Sequence, residues 1–111
     1  MKLSQIHRDP YKINYAIGLA RAVYSFSGVG GGLHIVLDDG NLRDDSIDWC
    51  IEFIKGEGYK TGVWAYGESE AEINAMTEQN RVVDLQCAEY LKTLTLAERH
   101  EVYRRYREYM A

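Results

Sequence analysis

Gly28-Val-Gly-Gly-Gly-Leu-His-Ile-Val-Leu-Asp-Asp-Gly-Asn-Leu-Arg-Asp-Asp45 holds the choice between an all-helical chain and one with a sheet. Its apolar pentad, Leu33 to Leu37, is broken by His34. The β-branched Ile35 and Val36 favour a strand. Leu33, Val36 and Leu37 fit one turn of helix equally, and five residues leave both readings open. As a strand, the pentad would pair with Thr61 to Tyr66, a short aromatic excursion between Gly58 and Gly67. Asp38-Asp-Gly-Asn41 then reads as a turn.

Outward from this stretch the pattern is helical. On the N-terminal side, Asp9 suits a helix cap and Pro10 the first helical position. Ile13, Ala16, Ile17, Ala20, Val23 and Tyr24 follow at spacings of three and four. Tyr15, Leu19, Ala22 and Phe26 make a second stripe. A helix apolar on two sides is central to its domain or buried in an oligomer. On the C-terminal side, a helix from about Asp45 to Lys55 is expected to be capped by Asp44 or Asp45. Its core stripe is Ile47, Cys50, Ile51 and Ile54, extended round the helix by Trp49 and Phe53. Gly56-Glu-Gly58 breaks it. Ser69 with Glu72 forms a capping box. The helix it opens either runs on to about Leu94 or breaks near Thr77. Ile73, Met76, Val83, Cys87, Tyr90 and Leu94 trace its inner face. Thr95 with Glu98 forms a second capping box before a last helix. That helix presents Val102, Tyr103, Tyr106, Tyr109 and Met110 on one side. The expectation is a single, mainly α domain over residues 1–111, of about four helices. The pairing of 33–37 with 61–66 would add a short two-stranded β element.

The chain has 111 residues, 46% of them apolar and 27% charged, with nine Tyr and two Trp, which is the make-up of a folded domain rather than a disordered one. A net charge of -4 argues against direct nucleic-acid binding, which needs cations to displace phosphate counterions. No apolar run approaches a membrane span. The first residues lack the apolar core of a secretory signal, so a cytoplasmic location is expected. Cys50 and Cys87 fall at apolar-periodic positions and read as buried thiols, with a disulfide as the lesser alternative.

The polar density around the turn exceeds what turns and caps need. His34, Asp38, Asp39, Asn41, Asp44 and Asp45 lie within twelve positions of one another. The spacing lacks the alternating ligands and terminal glutamate of an EF-hand. No metal set and no cofactor are expected. Hydrogen bonding is the alternative: Asn41 donates and accepts, the aspartates accept from ribose hydroxyls or base amines, and His34 orients the loop or stacks. Gly30, Gly31 and Gly32 would let backbone N–H groups approach a phosphate. Trp64, with Tyr59 and Tyr66, could stack on a base. The candidate ligand-binding residues are therefore Gly31, Gly32, His34, Asp38, Asp39, Asn41, Asp44 and Trp64. Each also has a purely structural reading: turn, cap, connector or core. In the last helix, Arg99, His100, Arg104, Arg105 and Arg107 alternate with Glu98, Glu101 and Glu108 and read as a solvated face. The tyrosines beside them suggest a subunit interface. No nucleophile constellation stands out, so no catalytic residue is expected.

Leu33-His-Ile-Val-Leu-Asp-Asp-Gly-Asn41, with Asp44-Asp45, Ile47 and Trp49-Cys50, resembles a signature of small phage and prophage proteins. Those proteins commonly close with a Leu/Tyr-rich helix similar to Leu94-Thr-Leu-Ala-Glu-Arg99 and Val102-Tyr103. The resemblance covers residues 28–55 and 85–104, and the chain departs from the pattern over 56–80. It implies a phage origin and the bacterial host cytoplasm. Small phage accessory proteins often counter host defence. The leading expectation is an anti-defence protein, not an enzyme, that sequesters a nucleotide-derived small molecule and works as a homo-oligomer. The alternatives are a protein-binding inhibitor of a host defence complex, acting through the acidic surface from Asp38 to Glu52, and a metal-dependent phosphodiesterase using His34, Asp38 and Asp39.

Overall fold

A computed structural model describes residues 10–27, 33, 40–59 and 69–110. Four helices carry this part of the chain: α1 (Pro10–Ser27), α2 (Asp44–Lys55), α3 (Glu70–Thr93) and α4 (Leu96–Met110). The fold is mainly α, as the periodicity predicts. Leu33 is helical, and there is no strand among the described residues. Residues 34–37 and 61–66, on which the β alternative depends, lie outside the described residues. No described helix is long and apolar enough to cross a membrane.

α3 is the central element. It packs against α1 and α2, and α1 also packs against α4. α1 buries Ile13, Ala16, Ala20 and Val23, its first stripe. The second stripe stays half wet: Leu19 and Ala22 are partly buried and Tyr15 is exposed. α2 buries Ile47, Cys50 and Ile54. Both cysteines are buried free thiols.

The inner face of α3 differs from the expected one. Ile73, Met76, Val83 and Tyr90 are only partly buried. The face that points inward is Thr77, Asn80, Asp84, Cys87, Ala88 and Leu91. A helix gripped from two sides buries whatever residues face its neighbours, provided their polar groups are satisfied. Asp84 is fully buried, and the equally buried Tyr59 donates its hydroxyl to it at 2.5 Å.

The helix ends divide in the same way. Both capping boxes form. Ser69 Oγ accepts from the Glu72 amide and Glu72 Oε1 from the Ser69 amide. Thr95 Oγ1 accepts from the Glu98 amide at 3.1 Å, and Glu98 Oε1 from the Thr95 amide at 2.8 Å. With its box in place α3 runs unbroken for 24 residues. The start of α2 is a correction: neither Asp44 nor Asp45 caps it. Arg43 occupies the cap position without a side-chain cap bond, and the two aspartates form the first helical turn. There they still complement the positive end of the helix dipole. Asp44 is drawn away from a capping role by α4, as described below.

Two arginines close helix C-termini. Arg81 of α3 donates to the Ile54 carbonyl and, at 3.1 Å, to that of Gly56, at the end of α2. Arg99 of α4 donates to the Leu91 carbonyl at 2.7 Å and the Lys92 carbonyl at 3.2 Å, at the end of α3. The last carbonyls of a helix have no partner within it. A guanidinium supplies several donors in a planar fork and suits that deficit. The expected solvated arginine face is thus wrong for Arg99, which is only 3% exposed. On the same helix Val102 and Tyr106 are buried and Tyr103 partly so. Tyr106 is spent inside the protomer and leaves the expected subunit interface.

Candidate binding site

The described end of the polar loop is fastened to α4 at Gly40, Leu42 and Asp44. Gly40 has a φ of 72°, a left-handed conformation that glycine takes without strain. A Cβ there would stand 3.0 Å from Cε1 and Cζ of the Tyr103 ring. Glycine is thus required twice, by its dihedral and by the ring beneath it. Leu42 is fully buried, and its carbonyl accepts from Nη1 of Arg99 at 2.9 Å. Nη2 of Arg99 meets Oδ1 of Asp44 at 2.7 Å. One buried guanidinium therefore joins the loop, the start of α2 and the end of α3.

Asp44 remains largely open to solvent, with Lys92 a further 3.9 Å neighbour that itself pairs with Asp48 at 2.8 Å. The hydrogen bond from Arg99, its charge and that of Lys92 hold the Asp44 carboxyl below the ordinary carboxylate range. Arg43 and Asp45 pair at 3.2 Å in the open. Together with Thr95 and Leu96 these groups line a groove of about 590 Å³ at the corner between α2, α3 and α4. Asn41 is exposed beside Leu42. A second groove, between α1 and α3, is lined by Tyr11, Lys12, Tyr15, Tyr90 and Thr93. Tyr15 and Tyr90 meet edge to face there, and Lys12 is held by Glu98 at 3.1 Å.

Of the candidate ligand-binding residues, Asp44 lines this groove and Asn41 is exposed on the loop that leads to it. Gly31, Gly32, His34, Asp38, Asp39 and Trp64 lie outside the described residues. Tyr59, read as part of a stacking excursion, is instead a core residue bonded to Asp84. Among the described residues no three His, Cys, Asp or Glu side chains are grouped to hold a metal. Arg99, Lys92 and Tyr103 are participants that sequence reasoning missed. A signal existed for Arg99: it stands three and seven positions before Val102 and Tyr106, on their stripe. What the corner does chemically is hold backbone still. It fixes the chain directly after Asp38-Asp39 and leaves the Asn41 side chain in solvent.

No family model, no curated protein and no solved structure matches this chain.

Proposed function

We propose that the chain is a binding protein, not an enzyme, that holds a nucleotide-derived small molecule at its polar loop and keeps it from its receptor. The observation that carries this is the seat of the loop, with Gly40 on Tyr103 and Leu42 and Asp44 on Arg99. Such a seat orders the backbone of Gly40 to Asp44 before any ligand arrives and lowers the entropic cost of binding there. In this reading Asn41, Asp38 and Asp39 read ribose or base edges, and the backbone of Gly31 and Gly32 meets phosphate. Arg43 and Lys92, along the groove, add the positive charge a phosphate requires. His34 orients the loop and Trp64 stacks on the base. Asp44 acts mainly through Arg99. The resemblance to small phage proteins supplies the setting, an anti-defence accessory protein in the cytoplasm of a bacterial host.

The test is to purify the protein from bacteria, denature it and analyse the supernatant for nucleotides by mass spectrometry. A stoichiometric nucleotide is expected from the wild type and is lost from Asn41→Ala, whose melting temperature should stay unchanged. Absence of any released nucleotide, with no uptake of nucleoside monophosphates, diphosphates or cyclic dinucleotides by calorimetry, would overturn the reading.

A further inference from the structure

The outer face of α2 carries a feature the fold does not use. Trp49 is 56% exposed and Phe53 37% exposed. Their rings stack in parallel, with centroids 5.4 Å apart and planes 11° from each other. The helix meets the core with Ile47, Cys50 and Ile54, so the stack lies outside its buried stripe. It is nevertheless held firmly. Phe53 meets the buried Tyr59 edge to face at 6.2 Å, and Tyr59 is in turn bonded to Asp84 and covered by the Arg81 guanidinium. Surface indoles with rigid support lose little entropy on binding and dominate interfaces.

The charge this helix carries is mostly negative. From Asp44 to Glu57 there are five carboxylates and one lysine. Asp45 and Glu52 lie one helical turn either side of Trp49, and Glu57 is exposed just past the end of the helix. Asp45 and Asp48 meet Arg43 and Lys92 in exposed pairs, which exchange partners at little cost. Glu52 and Glu57 have no ion-pair partner among the described residues.

We infer that the Trp49–Phe53 stack with its surrounding carboxylates is a docking surface for an arginine-rich segment of another protein. A guanidinium stacks on an indole face while its edge donates to carboxylates. An ammonium does the first less well and cannot donate as a planar fork. The surface adjoins the loop corner, since Asp45 lines that groove and Asp48 shares Lys92 with it, but the aromatic stack lies outside the groove and the inference stands without a nucleotide ligand.

A synthetic hexa-arginine peptide is the probe, titrated by calorimetry against the unaltered chain. Hexa-lysine is the control. Arginine should bind about tenfold more tightly than lysine, and Trp49→Ala, read by calorimetry, should erase that preference. Glu52→Gln with Glu57→Gln should weaken both peptides and flatten the salt dependence. Both sets of changes are at exposed positions, and unchanged circular dichroism verifies that the fold persists. Equal affinity for the two peptides would overturn the inference, because acidity alone would then explain binding. So would Trp49→Ala binding like the wild type. A dimer in sedimentation that Phe53→Ala dissolves would overturn it too, by giving the surface to a second copy of the chain.

Discussion

Arg99 is the residue on which most of the described structure converges. Its guanidinium serves Leu91, Lys92 and Leu42 carbonyls and the Asp44 carboxylate at once. Arg99→Met removes every donor and should cost about 3 kcal/mol or more in urea unfolding. Arg99→Lys should recover only part of that, since an ammonium cannot span the same acceptors. Asp44→Asn should be far milder, because Asp44 is exposed. A second expectation concerns acid. Arg99 holds Asp44 low. Burial pushes Glu98 up, but bonds from Thr95 and Lys12 outweigh it and leave it low. Arg104, against some desolvation and with help from Arg105, holds Glu101 low. Groups whose folded pKa lies below the unfolded value stabilise the fold fully above the unfolded value. They lose that contribution as pH falls through the folded value. The melting temperature should therefore hold from neutrality to about pH 5 and drop below about pH 4. Asp44→Asn should shrink the drop. A melting temperature independent of pH down to about 3 would contradict the assignment.

At the scale of elements, helix starts are local and helix burial is not. Each capping box is closed by residues three apart, and Ser69→Ala or Thr95→Ala should each cost about 1 kcal/mol. Denaturant midpoints measure this, and a neutral pair would mean that tertiary contacts alone hold the ends. The inward face of α3 makes the opposite point. Tyr59→Phe deprives the buried Asp84 of a donor and should cost about 1–3 kcal/mol despite keeping the ring. The thiols flank the same region. Burial pushes Cys50 up to about 12, with the Asp84 charge adding to the effect, and the same two causes push Cys87 up as well. Only thiolate reacts readily. Ellman's reagent should label neither cysteine in the folded protein and both in denaturant. Rapid labelling of native protein would show that α2 and α3 separate readily.

For the molecule as a whole, the turn at Gly40 to Asp44 and the helix that carries Arg99 and Tyr103 form one unit. They meet across 57 residues of chain through the bond from Arg99 to the Leu42 carbonyl. The loop seat and α4 should therefore unfold together. Hydrogen exchange is expected to protect the amides of the first turn of α2 and those of α4 with matching free energies, and Arg99→Met to lower both. Exchange from α2 that stays slow while α4 opens would separate them.

The helices, their order, both capping boxes and the buried thiols were legible in the sequence, while the choice between an unbroken and a broken α3 was not. Each rests on spacing within one element, where the backbone geometry is known in advance. Trp49 and Phe53 were legible as apolar residues beside the core stripe of α2, but not as an exposed stack. Three further things waited for the tertiary structure: the polar inner face of α3, the burial of Arg99 and the start of α2 at Arg43 rather than at an aspartate cap. The reason is common to all three. A polar side chain goes where a partner satisfies it, buried as for Asp84 and Arg99 or exposed as for Asp44, and here the partners come from other elements. Asp84 finds Tyr59 25 residues away, and Arg99 and Asp44 find each other only once α4 has folded back against the start of α2.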